Sequence, residues 1–375
     1  MELNTLLPEL FKGLANFTWG NALMILVGIT LITLAIWKEY EPVLLLPIGF
    51  GCILANIPMT GMTDGEGLFG VLYRAGINTE LLPLLIFIGV GAMIDFSPLL
   101  AQPSMALLGA AGQFGIYGTL ILATLLGFPL NEAASIGVIG AIDGPTSIYV
   151  ATKLAPSLLA PIAVAAYSYM SLVPIIQPPL MRVMTTRKER RIRMEYAPRP
   201  VSRLARIVFP ILVTLAVGLL VPEATPLISM LMLGNLLRES GVVERLNKAA
   251  QNEIANIATL FLGVTIGSTM SADSFLNLIT LQILALGLLA FALDTVAGLS
   301  FGKLMSFATR GKINPLIGAA GISAFPMAGR LAAKMAQDED FENFILMHAM
   351  GTNTAGQLGS VIAGGVLLAL VSGII

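Results

Sequence analysis

Charge is scarce in this chain, and so are the side chains that bind soft metals. Only 11% of its residues are Asp, Glu, Lys or Arg, against roughly 25% in ordinary soluble domains. It has one cysteine, Cys52, and one histidine, His348. A lone thiol excludes an internal disulfide framework. A lone imidazole beside it leaves no Cys/His set for an iron–sulfur cluster or a zinc site built from this chain alone. Long alternating apolar and polar runs are also missing, which removes transmembrane strands and leaves helices to carry the backbone through lipid. Ion chemistry must then use oxygen ligands or arrive on a partner.

What is there is apolar: 56% hydrophobic residues and a mean hydropathy of +0.86. Residues 13–37, 42–63, 96–131, 154–181, 254–272, 274–293 and 343–375 contain no Asp, Glu, Lys or Arg. Each run meets or approaches the ~20 residues a helix needs to cross the hydrocarbon. The first, bounded by Thr18-Trp19 and Trp37-Lys38, has no small-residue cleavage site after it and reads as a span rather than a secretory signal. The pattern predicts an all-α, multi-pass integral membrane protein with about 10 to 12 transmembrane helices, five or six in each half.

One loop orders these spans. Residues 182–206 hold nine of the 21 Lys+Arg, opposed only by Glu189 and Glu195. The positive-inside rule puts this loop in the cytoplasm, as a topogenic cluster that could also dock a soluble partner. It divides the chain into an N-terminal membrane region, 1–181, and a second membrane region, 207–375.

The two regions match. IGVIGAIDGP at 136–145 and IGAAGISAFP at 317–326 share IGxxG and a proline at the tenth place. One offset of 181 residues carries Ile136, Gly137, Gly140, Pro145 and Lys153 onto Ile317, Gly318, Gly321, Pro326 and Lys334. A second pair lies upstream, Phe87-Ile-Gly-Val followed by Asp95 and Phe261-Leu-Gly-Val followed by Asp273. Gly/Ala-rich helices can yield IGxxG by composition, but not several features in the same order. Paired Gly/Pro-interrupted apolar segments point to two inverted repeats whose broken helices meet at the bilayer midplane.

Asp143 stands inside the first break, in GAIDGPTSIYV. A carboxylate at membrane depth costs about 2.5–3.5 kcal/mol on insertion scales and so faces a partner, an ion or water. Gly144-Pro145 breaks the helix there, freeing carbonyls beside the hydroxyls of Thr146 and Ser147. That set suits Na⁺ or a proton, and Asp143 can also cap the following half-helix. The second break carries Ser323, with Asn314 before it and Arg330 four residues past Pro326. Arg330 either pairs with Asp143 or receives an anionic substrate. Further on, GTNTAGQLGSVIAGG at 351–365 offers Asn353, Thr354, Gln357 and Ser360 as neutral oxygens, unless its glycines serve packing alone. Tyr167 and Tyr169 suit an interfacial belt, though Tyr169 lies mid-run, where a hydroxyl wants a partner. His348 reads as a loop or interface residue.

GAIDGPTSIYV, AAYSYMSLVPIIQPPLM, ESGVVERL, NPLIGAAGISAFPMAGR and GTNTAGQLGSVIAGGVLLAL resemble the β subunit of the sodium-pumping, biotin-dependent decarboxylases of oxaloacetate, methylmalonyl-CoA or glutaconyl-CoA. The resemblance covers essentially the whole chain. It implies a subunit of the inner membrane that decarboxylates carboxybiotin while moving Na⁺ outward and consuming a proton, with an elevator-like movement between parts. It also implies a carboxyltransferase α subunit, a biotin carrier subunit, a small membrane anchor subunit and a homotrimeric core; no nucleic-acid partner is expected. The family's site residues fall on Asp143, Tyr169, Asn314, Gly318, Ser323, Arg330 and Asn353. The implied roles are Asp143, Asn314, Gly318, Ser323 and Asn353 as the Na⁺ set, and Arg330 with Tyr169 and Asp143 for carboxybiotin and its proton. The residues alone fit a Na⁺-coupled transporter of a small organic anion equally well.

Overall fold

A computed structural model describes residues 11–195 and 200–373. The middle of the basic loop, 196–199, and the side chain of Asp273, in the upstream repeat pair, lie outside the described residues. Everything regular in the described chain is helical, with no strand.

Local chemistry sets the ends of the helices. The first long helix, α1 (Trp19–Trp37), is opened by Thr18, whose hydroxyl accepts the Asn21 N–H while Asn21 accepts the N–H of Thr18. This reciprocal box satisfies two amide hydrogens that a helix start leaves bare. Pro42 opens α2 (Pro42–Ala55), where a missing N–H costs nothing. A π-helical turn, Tyr73–Asn78, leads into α3 (Leu81–Met93). Then come α4 (Phe114–Leu125), a 3₁₀ segment at Val138–Ala141, α5 (Gly144–Leu154) and α6 (Leu159–Met184).

A similar order of the longer elements recurs after the basic loop, although the first half has Met105–Ala111, α4 and Leu130–Gly137 where the second has one unbroken helix, Leu278–Ala308. The second half runs α7 (Arg203–Leu220), α8 (Thr225–Ser240), a π turn at Ala250–Ile254, α9 (Ala255–Ser268), α10 (Leu278–Ala308), a 3₁₀ segment at Pro315–Gly321, α11 (Met327–Glu339) and α12 (Leu346–Ser372). Contacts follow the same exchange: α2 packs on α9, and α8 packs on α3. A Cβ on Gly51 would meet Val264 O at 2.2 Å, and one on Gly234 would meet Ile88 O at 2.0 Å, so glycine lets backbones touch at both crossings. Each crossing also ends in an amide tie. Asn56 Nδ2 donates to Met270 O past the end of α9 (2.7 Å), and Asn235 Nδ2 to Ile94 O past the end of α3 (3.0 Å).

Six helices are long and apolar enough to cross a membrane, or seven if Leu68–Asn78 and Leu81–Met93, bent by 58°, form one span. That is fewer than the 10 to 12 expected from apolar runs. The difference lies in the short pieces: α2 is apolar but has 14 residues, and the segments around Asp143 and Ser323 are broken into 3₁₀ and α stretches. Apolar side chains also cover the outside. On α7 only Pro210 is buried, while Leu212, Leu215, Leu219 and Leu220 are exposed, as suits a surface whose solvent is lipid.

Candidate functional site

The two breaks touch. Ser323 N donates to Ala141 O at 3.1 Å, joining the end of one 3₁₀ segment to the residue just past the other. Ile142 completes the first break at φ 54°. The left-handed region is unfavourable for a β-branched residue, costing on the order of 1–3 kcal/mol, and persists where surrounding packing over-determines it. Here Ile142 is fully buried, and the turn delivers Asp143 to the start of α5.

Asp143 is 4% exposed and its two oxygens do different things. Oδ1 accepts the Thr146 N–H at 3.2 Å as the N-cap of α5. Oδ2 accepts from Gln357 Nε2 and from Ser360 Oγ, both on α12 and both at 2.8 Å. Cap and ligand-type contacts therefore coexist on one carboxylate. Around it lie further oxygens. Ser323 Oγ donates to Gly356 O at 3.1 Å. Asn353 Nδ2 donates to Ile322 O at 2.7 Å, while its buried Oδ1 has no hydrogen-bond partner, as is true of Thr146 Oγ1. Apart from the Gln357 and Asn353 amide nitrogens, these groups are oxygens around one anion, the donor type that suits a hard cation. Among the described residues no group of three or more His, Cys, Asp or Glu side chains is arranged to hold a metal ion.

Asp143 opens into a cavity of about 580 Å³ that both halves line. Its walls include Ser323, Pro326, Arg330 and Gln357 with Tyr167, and also Glu41, Asp95 and Arg238. Arg330 is exposed and makes no ion pair among the described residues, so the Arg330–Asp143 pair allowed by the sequence does not form. An unpaired guanidinium in a cavity mouth is a bidentate receptor for a carboxylate. Arg238, by contrast, is engaged with Asp95 (3.5 Å), Glu239 (3.4 Å) and Met93 O (2.8 Å).

Four of the site residues implied by the resemblance are not among the cavity's lining residues: Asn353, held on Ile322 O, and Asn314, Gly318 and Tyr169. Asn314 is fully buried, but its amide donates to Arg190 O and Ile192 O at 3.0 and 2.9 Å, and its oxygen accepts the Leu316 N–H at 3.0 Å. It holds the basic loop on the second 3₁₀ segment and does not line the cavity. Gly318 packs on α10, where a Cβ would meet Gly298 O at 2.0 Å. The Tyr169 hydroxyl donates to Leu284 O on α10, and it is Tyr167 that lines the cavity, its buried hydroxyl without a partner. Glu41 and Arg238 were missed in the sequence; both flank apolar helices whose partners are far away in the chain.

The basic loop is less free than its composition suggests. Arg190 is 7% exposed, binds Glu339 Oε1 through Nε (2.8 Å) and Nη2 (2.6 Å), and gives Nη1 to Thr185 O (2.6 Å). Arg193 pairs with Asp340 at 2.7 Å and Glu342 at 2.9 Å. The charge cluster thus clasps the end of α11.

Two broken helices that meet at a buried carboxylate, within a bundle of apolar helices, define a membrane transport protein of the broken-helix class. The chain belongs to the family described as the Na⁺-transporting oxaloacetate decarboxylase beta subunit, whose model matches residues 20–371. It is 56% identical to the methylmalonyl-CoA decarboxylase subunit beta of Veillonella parvula and 54% identical to the glutaconyl-CoA decarboxylase subunit beta of Acidaminococcus fermentans, each over 96% of both chains. It is 46% identical to the oxaloacetate decarboxylase beta chain of Klebsiella pneumoniae over 98% of both chains. As a member of this family it is a membrane subunit that couples decarboxylation to sodium transport.

Proposed function

We propose that this subunit decarboxylates carboxybiotin brought by a biotin carrier subunit, that Arg330 receives the carboxylate, and that Na⁺ is carried at Asp143. The observation that supports this reading is the buried Asp143 carboxylate opening into the same cavity as an unpaired guanidinium. Na⁺ would replace the two hydrogens now donated to Oδ2: Ser360 Oγ turns its lone pairs inward and the Gln357 amide rotates to present its oxygen. Ser323 Oγ and the bare Asn353 Oδ1 complete the oxygen set. Asn314 and Gly318 act at one remove, seating the second 3₁₀ segment against the loop and α10.

Loss of CO₂ from carboxybiotin leaves an electron pair on the ring nitrogen, which takes up one proton. Tyr167, facing the cavity with an unshared hydroxyl, is placed to pass that proton on, while Tyr169 fixes α6 to α10 two residues away. Removing the substrate's negative charge from Arg330 leaves the loaded site with a surplus positive charge and biases it to face outward. Exporting one charge against 100 mV requires about 2.3 kcal/mol, so decarboxylation and movement must be obligatorily linked. We take the recurring order of the longer elements as support for two inverted repeats, the first within the N-terminal membrane region 1–181 and the second in 207–375, joined by a cytoplasmic loop at 182–206, with an elevator-like displacement of the broken segments against α2, α3, α8 and α9. A carboxyltransferase α subunit, a small membrane anchor subunit, a homotrimeric core and an inner-membrane location complete the assembly.

The test is the purified complex in proteoliposomes, with CO₂ release from free carboxybiotin and radioactive sodium uptake followed together. Both should rise along one Na⁺ curve. Sodium uptake driven by an organic-anion gradient with no CO₂ released would instead favour a secondary transporter. Orientation is read separately: a cysteine at exposed Lys188 should resist impermeant reagents added outside intact cells.

A further inference from the structure

One buried acid takes no part in the Asp143 site. Asp294, in the middle of α10, is 0% exposed. Its Oδ1 accepts the N–H of Gly115 in the first turn of α4. Its Oδ2 has no hydrogen-bond partner and stands 3.1 Å from where a Cβ on Gly140 would be. Gly140 belongs to the 3₁₀ segment that leads into Asp143.

The other half shows what belongs in this place. The offset of 181 that carries Gly140 onto Gly321 also carries Gln113 onto Asp294. Gln113, 4% exposed, donates from Nε2 to Gly321 O at 3.1 Å, to Gly109 O at 3.1 Å and to Gly356 O at 3.2 Å. Each half therefore sends one polar side chain onto the second glycine of the other half's IGxxG: Gln113 onto Gly321, Asp294 onto Gly140. The amide always has hydrogens to donate. A carboxyl group has one only while it carries a proton.

We propose that Asp294 is a proton-binding site, protonated on Oδ2 while it lies against Gly140 and deprotonated when the 138–143 segment moves off α10. The surroundings select a proton over a metal cation. The nearest polar group is an N–H at the start of α4, and a helix N-terminus favours negative charge and repels cations. That same N-terminus can hold the carboxylate form once the proton has left. No ion pair reaches Asp294 among the described residues. The elements packed on α10 carry few titratable or charged groups: Tyr117 on α4, Glu132 on the helix Leu130–Gly137, and Tyr167, Tyr169 and Arg182 on α6. The two 3₁₀ segments and the helix Met105–Ala111 carry none, and Asp143 follows the first of those segments. The inference rests on the matched contacts of the two halves and does not depend on which ion Asp143 carries.

Infrared difference spectra of the purified complex between acid and alkaline pH decide it. Wild type and Asp143→Asn should both show a protonated-carboxyl C=O band, shifted in deuterium oxide, that Asp294→Asn loses. Asp294→Asn, which supplies the permanent amide seen at Gln113, should also flatten the pH dependence of Na⁺ affinity. An unchanged band overturns the proposal whichever ion Asp143 carries, and Na⁺ affinity that follows pH as in wild type overturns it where the complex binds Na⁺. Should Asp294→Asn fail to assemble, ¹³C-aspartate labelling of Asp143→Asn gives the answer: a labelled protonated-carboxyl band that persists at neutral pH, where exposed aspartates are ionised, supports the site, and its absence refutes it.

Discussion

At the first break the chain turns through Ile142 at φ 54° and capped α5 begins on Asp143; at the second it passes through Ile322 at φ −78°, and α11 begins at Pro326 with no side-chain cap. The segments occupy matched places and hydrogen-bond to each other, yet α5 is almost wholly buried around an anion while α11 shows an exposed Arg330. Repetition supplies the geometry of two facing broken helices. Single positions supply the chemistry: a carboxylate where the offset of 181 places Ala324 in the other half, and a guanidinium four residues after the second proline. An ion and an anionic substrate can thus share one cavity without cancelling in a direct Arg–Asp pair.

The strongest way to break this comparison is to neutralise the anionic side. Asp143→Asn should weaken Na⁺ activation of decarboxylation by about a hundredfold or more, since losing one member of a buried charge pair costs about 3 kcal/mol or more. Ser323→Ala, one residue before the matched place, should cost roughly tenfold or less, the worth of one neutral hydrogen bond. Equal Na⁺ titration curves for the two variants would erase the distinction between the breaks.

The cationic side comes next. Arg330→Lys keeps the charge but loses the fork, so apparent affinity for carboxybiotin should fall by about tenfold with the Na⁺ curve little moved. Normal biotin dependence with a displaced Na⁺ curve would return Arg330 to the ion site. Tyr167→Phe should slow decarboxylation by about tenfold and alter its pH profile, whereas Tyr169→Phe should cost about 1 kcal/mol of stability from the lost tie to Leu284. Thermal unfolding and rate measurements on both variants separate these roles, and the opposite pattern would exchange them.

The smallest effect belongs to the clasp at the end of α11. The hydrogen bond from Arg190 holds the Glu339 carboxyl below its ordinary 4.5, and that from Arg193 holds Asp340 below 3.8. Carboxyls lowered in the folded state stabilise it above their unfolded values, and the contribution disappears as pH falls from 4.5 through the folded values. Protease cleavage in the 182–195 segment should therefore accelerate only on acidification, modestly because the pairs are near water. Glu339→Gln should already be cleaved faster at neutral pH and respond less to acid.

Much of this arrangement was legible in the sequence because it depends on neighbours along the chain. Apolar runs, Gly-Pro breaks and the 181-residue offset mark broken helices wherever they fold, and an acid at such a break is costly enough to single out Asp143. Asn314 and Tyr169 were less readable. An amide and a hydroxyl look alike as ligands or as ties, and here the first holds loop carbonyls and the second a helix carbonyl. Asp294 escaped notice because its aspartate interrupts one long helix without a turn signal, and its meaning depends on Gly115 and Gly140 reaching it from the other half.

By itself the sequence determined a helical membrane protein with a basic loop at 182–206, an anion at the Gly-Pro break and a cation near the other break. Those features follow from solvation, helix-breaking residues and periodicity, which act within a few residues. Only the tertiary structure decided that Gln357 and Ser360, 214 and 217 residues from Asp143, are the groups on its carboxylate, that Arg330 stands apart from it, and that Tyr167 faces the cavity. Helix packing sets those meetings, and it depends on glycine-lined crossings between elements that share no local signal.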